Sequence, residues 1–163
     1  MQDSFIFSGT VIDNIRYGKP EATDEECILA AEKVYAADFI KKLPNGYYTR
    51  LDERGTSLSS GERQLLSFAR VILTDPKILI LDEATSNIDT QTELLVQKAL
   101  KEVLSGRTSF VIAHRLSTIK NADKIMCICN KGIAEEGSHE ELMNKKGIYY
   151  ELNMSQYNAL ANK

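Results

Sequence analysis

Four aliphatic residues, Ile78-Leu79-Ile80-Leu81, run straight into Asp82 and Glu83 with no turn residue between them. A run that is apolar at every position, rather than at every second one, reads as a strand covered on both faces, the pattern of a parallel sheet in an α/β core. "SFVIA", Ser109 to Ala113, repeats it, with a helical pattern from about Thr90 to Leu104 in between. Ligands of such sheets gather beyond the carboxyl ends of the strands. The buried run is then a rigid mount that holds acids at the mouth of a cleft. One acid there can hold a hard cation such as Mg²⁺ through oxygen, while its neighbour orients or deprotonates a water.

Upstream the rhythm is helical. "VIDNIRYG" ends at Gly18. A second helix starts with acids after Thr23, a good N-cap, and runs through "TDEECILAAEKVYAADFIKKL" to Pro44-Asn45-Gly46. After the charged loop "TRLDERGTSLSS", Leu65, Leu66, Phe68, Ala69, Ile72 and Leu73 recur at helical spacing until Asp75-Pro76. Beyond "SFVIA" come a short helix, the strand "KIMCIC" and the segment "GIAEEGS". Residues 1–76 therefore form a helical part and residues 77–163 an α/β part, with no internal repeat or low-complexity linker.

The balance of charge narrows the partners. Against 20 Lys and Arg stand 23 Asp and Glu, a net charge of -3 that offers no general attraction to nucleic acid or anionic lipid. A polyanion must be gripped at a specific site. Three cysteines are an odd number, and Cys127 and Cys129 share one face of an apolar strand, which is not the spacing of a metal knuckle. They read, with Cys27, as reduced, buried thiols of a cytoplasmic protein. No apolar run approaches the roughly 18 residues of a membrane span, so the chain itself reads as soluble.

Two further groupings carry chemistry. In "LSSGERQ", Leu58 to Gln64, Ser59 and Glu62 have capping-box spacing and Gly61 permits close approach to the backbone. Unpaired amides and the helix dipole make that helix end an anion site in waiting. His114 closes "SFVIAH" at the same sheet edge as Asp82, where a ring nitrogen can donate to a phosphate oxygen. His139 precedes an acidic helix start and reads as a surface or capping residue.

In their order and separation, these pieces resemble the nucleotide-binding domain of ABC exporters. "LSSGERQ" is similar to the family signature, "ILILDEATSNID" to Walker B running into the D-loop, "VIAHRLST" to the switch-histidine loop, and "QDSFIFSGTVIDNIRYG" to the Q-loop and start of the helical subdomain. "TRLDERG" resembles the exporter loop that touches the transmembrane subunit. The resemblance covers Gln2 to about Tyr150 and the latter two-thirds of the family domain. It implies a P-loop NTPase-like fold, with a helical subdomain followed by part of the parallel-sheet core.

The resemblance also implies roles. ATP and Mg²⁺ would be the cofactors, with Gln2 and Asp82 at the metal, Glu83 polarising the attacking water and His114 at the γ-phosphate. Ser59, Ser60 and Gly61 would contact ATP held by a second nucleotide-binding domain packed head to tail, and Asp89 would sit in the D-loop at that interface. The other partners would be transmembrane domains, at the cytoplasmic face of the cell membrane, with no role for nucleic acid. Ser60 and Glu62 replace the glycine and glutamine common in the signature. No G-x-x-x-x-G-K-[ST] loop occurs: Gly18-Lys19 is followed by Pro20. Lacking that nest and its lysine, the polypeptide alone is expected to bind ATP weakly or not at all and to leave it intact. An alternative reading is a non-enzymatic partner that donates its signature face to another protein's ATP site.

Overall fold

A computed structural model describes residues 5–82, 90–113 and 116–161. The chain divides into two compact units, residues 1–112 and 113–163.

The first unit opens with β1 (Gly9–Thr10) and α1 (Val11–Arg16). Thr10 and Asp13 form a reciprocal capping box, each side chain accepting the other's amide, which starts the helix. Thr23 and Glu26 start α2 (Asp24–Lys33) in the same way. The single long helix expected after Thr23 is in fact two. Tyr35 turns left-handed at φ 60°, its amide donates to the Glu32 carbonyl and the Ala36 amide to that of Ala31. That is the Schellman pattern, which closes α2 before α3 (Ala37–Ile40) begins. The short strand β2 (Arg50–Leu51) pairs antiparallel with β1.

Next comes α4 (Ser60–Thr74), whose apolar face, with Leu65, Leu66, Phe68 and Ala69, is buried. Asp75, left-handed at φ 47°, ends it and leads into β3 (Ile78–Asp82), α5 (Thr90–Leu104) and β4 (Thr108–Ile112). β3 and β4 pair in parallel, from Ile78 opposite Thr108 to Asp82 opposite Ile112. Leu79 joins Val96, Ala99, Leu100 and Val103 of α5 in one continuous core with α1, α2 and α4.

Coverage of both sheet faces does not hold. Exposure alternates along each strand: Ile78 is 65%, Ile80 70%, Phe110 51% and Ile112 56% exposed, while Leu79 is 7%. Leu79 and Leu81 pack into the core that α5 shares, while Ile78, Ile80, Phe110 and Ile112, which point the other way, are exposed.

In the second unit, α6 (Leu116–Ile119) precedes an antiparallel hairpin of β5 (Ile125–Cys129) and β6 (Gly132–Gly137), then α7 (His139–Lys145) and α8 (Ile148–Ala161). Its small core gathers Ile125, Leu142 and Tyr149. The expectation of three buried thiols holds for Cys27 alone; Cys127 is half-buried and Cys129 exposed. A register shift between Cys127 and Ile128 breaks the alternation that would have put both on one covered face.

Candidate functional site

Helix α4 is built to present its N-terminus. Ser59 is held extended at φ -65° and ψ 162°, its hydroxyl accepts from the Glu62 amide at 3.2 Å, and the Glu62 carboxylate accepts from the Ser59 amide at 2.8 Å. The box fixes the direction of the first turn, so the Ser60 and Gly61 amides point out of the same end. Gly61 is buried and Ser59 exposed. A second clamp lies just below, where Arg63 donates to the Leu58 carbonyl at 2.6 Å. The loop leading in is also tied: Asp52 accepts from the Thr56 amide at 2.8 Å and the Thr56 hydroxyl at 2.5 Å, which holds its carboxyl below the usual range. The geometry suits an anion: positive dipole end, small side chains, and a rigid entry.

Asp82 is the last residue of β3 and is exposed. Its register partner is Ile112, the last residue of β4, so the carboxyl ends of the two strands share one edge. A single exposed carboxylate fits Mg²⁺, which takes one or two carboxylates and fills its remaining positions with water and phosphate oxygen. Among the described residues no group of three or more His, Cys, Asp and Glu forms a closed metal cage. The structure thus places Ser59, Ser60 and Gly61 together on one helix end and Asp82 on a strand end. Gln2, Glu83, Asp89 and His114 lie outside the described residues. His139, read as surface or capping, begins α7 beneath its Ser138 cap, its Nδ1 2.8 Å from the Tyr149 hydroxyl.

Sequence reasoning missed two polar residues, one on α1 and one near the C-terminal end of α4. Asn14 is only 1% exposed, and its side chain bonds the Phe7 amide, the Phe7 carbonyl and the Thr10 carbonyl at 2.9, 2.9 and 3.0 Å. Arg70 reaches it from α4, at 2.7 Å to Oδ1. The available signal was an asparagine and an arginine set inside otherwise apolar helical patterns, where a polar side chain needs partners.

Comparison with known proteins decides the family. The ABC transporter family matches residues 1–86. The chain belongs to the ABC transporter family. It is 54% identical over 157 residues to the "Uncharacterized ABC transporter ATP-binding protein YknV" of Bacillus subtilis (strain 168), covering 96% of this chain and 26% of that protein. It is 49% identical over 152 residues to the fatty acid ABC transporter ATP-binding/permease protein of Mycobacterium bovis, covering 93% and 24%. A solved bacterial Atm1-family ABC exporter with ATP bound superposes at a TM-score of 0.85 with 43% identity, over 95% of this chain and 27% of that one. The chain thus spans about a quarter of the length of these ABC proteins. Its fold is that of part of the exporter's nucleotide-binding domain, a helical subdomain followed by part of the parallel-sheet core. No helix among the described residues is long and apolar enough to cross a membrane.

Proposed function

We propose that this chain supplies the signature, Walker B, D-loop and switch portions of an ABC exporter ATPase, which couples ATP hydrolysis to export across a membrane. Residues 1–76 contribute the Q-loop and signature helix, and residues 77–163 the acids and histidine of the core. The observation that carries the reading is the pairing of a rigidly capped α4, bearing Ser59-Ser60-Gly61, with a parallel β3–β4 pair that ends in Asp82, inside a family of ATP-binding proteins.

In this reading Asp82 and Gln2 hold Mg²⁺, Glu83 orients the attacking water, and His114 donates to the γ-phosphate. Ser59, Ser60 and Gly61 close over ATP carried by a second nucleotide-binding domain, with Asp89 at the contact between the two. Hydrolysis of this kind needs positioning and charge stabilisation rather than a covalent intermediate. One relative's name joins ATP-binding and permease parts, which supports transmembrane partners; the chain then works at the membrane's cytoplasmic face. That fusion of ATP-binding and permease parts also weighs against a stand-alone chain that only lends its signature face.

The test is Mg²⁺-dependent phosphate release by the longer protein that contains this chain, wild type against Glu83→Gln. A fall of about a hundredfold or more in kcat is expected, since positioning of the attacking water is lost. Unchanged kcat in Glu83→Gln sinks the assignment.

A further inference from the structure

One side chain holds the entry segment of the chain against the signature helix. Arg70 leaves α4 eleven positions beyond Ser59 and spreads its guanidinium across residues 56 and 65 positions earlier in sequence. Nε donates to the Asn14 carbonyl at 2.6 Å, Nη2 to Asn14 Oδ1 at 2.7 Å, and Nη1 to the Phe5 carbonyl at 2.6 Å. The cation also lies 5.3 Å from the centroid of the Phe7 ring. Phe7 in turn stacks on Tyr17 at 3.9 Å and meets Phe5 edge-on at 4.8 Å.

The energetics of the arrangement are unusual for a surface arginine. Burial pushes the guanidinium below its ordinary value, and among the described residues no carboxylate pairs with it. Its charge is balanced by carbonyl dipoles, an amide oxygen and a ring face. Those partners all belong to residues 5–14, so the cost of burying the charge is recovered only when that segment is seated on α4. A second close approach lies one turn further along: a Cβ at Gly18 would come within 2.4 Å of Thr74 Oγ1.

Resting on the functional reading above, we propose that Arg70 is a positioning residue for ATP hydrolysis, a latch that makes the Phe5–Asn14 segment and helix α4 move as one piece. The segment continues directly from Gln2, and α4 carries Ser59–Gly61 at its far end. Arg70 contacts neither reacting group. It sets the distance between the two pieces of chain that carry them.

A lysine keeps the charge and loses the fork, which cannot serve two carbonyls and an amide oxygen at once. The experiment therefore compares wild type with Arg70→Lys in the longer protein that contains this chain, reading amide hydrogen exchange, kcat and KM for Mg-ATP. Arg70→Lys is expected to speed exchange at the Phe7 amide, which donates to Asn14 Oδ1, by about tenfold or more while the Leu65–Ala69 amides change less than twofold. The same variant should lower kcat about tenfold with KM within about twofold, because misplacement rather than lost nucleotide contact is the cause. Phe7→Leu removes only the ring face and should act in the same direction by about threefold, which keeps the test alive should the lysine variant fail to fold. Unchanged exchange at Phe7 overturns the latch. Faster exchange with unchanged kcat reduces Arg70 to a merely structural tie and overturns the positioning role. A wild type that releases no phosphate refutes the functional reading instead, and the exchange data alone then decide whether the latch exists.

Discussion

At the scale of single residues, small polar caps and their carboxylates do most of the directing. The Ser59 hydroxyl fixes where α4 begins, so Ser59→Ala should lower the stability of the first unit by about 1 kcal/mol, read as a shifted denaturation midpoint with unchanged slope; no shift would mean that the box is ornamental. Three other caps bear titrating groups. Asp13 is held below its usual range first by the Thr10 hydroxyl, Glu26 first by Lys19 and then the Thr23 amide, and Glu141 first by the Ser138 amide. A carboxyl depressed in the folded state contributes stability that is complete above its unfolded value, 3.8 for Asp and 4.5 for Glu, and that is lost as pH falls through the lower folded value. Melting temperature should therefore stay level above about pH 5 and decline below it, and Glu141→Gln should flatten part of that decline. Ser59, Thr10, Thr23 and Ser138 were all open to sequence reading, because each is followed three residues later by an acid, though only the first and third were singled out. For Asn14 and Arg70 the sequence shows only a polar residue inside each of two apolar helical patterns; that they pair was not legible, since they lie 56 residues apart and no local pattern links them.

At the scale of elements, ends are set by backbone chemistry that sequence shows only in part. The long helical pattern after Thr23 hides a break because Tyr35, a residue with no turn preference, takes the left-handed conformation that the Schellman closure requires. Helix α8 starts by a different device: the Glu135 carboxylate on β6 accepts from the Ile148 and Tyr149 amides, both at 3.0 Å. A cap supplied from thirteen residues away leaves no capping signature next to the helix. Glu135→Ala should destabilise the second unit by about 1 kcal/mol. Gly147 permits that cap, since a Cβ there would lie 1.7 Å from Glu135 Oε1. Gly147→Ala should accordingly destabilise by a similar amount in the wild type and have little effect in the Glu135→Ala background. Additive losses in that double-mutant cycle would show that the glycine serves some other purpose.

At the scale of the whole molecule, the alternation and order of elements told the fold class correctly, and the family resemblance named its likeness. What sequence could not show was which strand face stays open, because a run apolar at every position looks the same whether or not its second layer is present. Ile78, Ile80, Phe110 and Ile112 form an exposed apolar stripe on the parallel pair, the kind of surface that drives association. The purified 163-residue chain should self-associate in sedimentation, and Ile80→Lys should shift it toward monomer; a wild type that stays monomeric at tens of micromolar would contradict this. The central claim is that these residues are one part of an ATP-cleaving site and become competent only with the phosphate-gripping loop that their sequence lacks. Phosphate release from Mg-ATP, measured side by side on the 163-residue chain and on the longer protein that contains it, tests that claim most directly. The account predicts turnover in the longer protein, abolished by Glu83→Gln, and none in the chain alone; turnover by the chain alone that Glu83→Gln removes would contradict it.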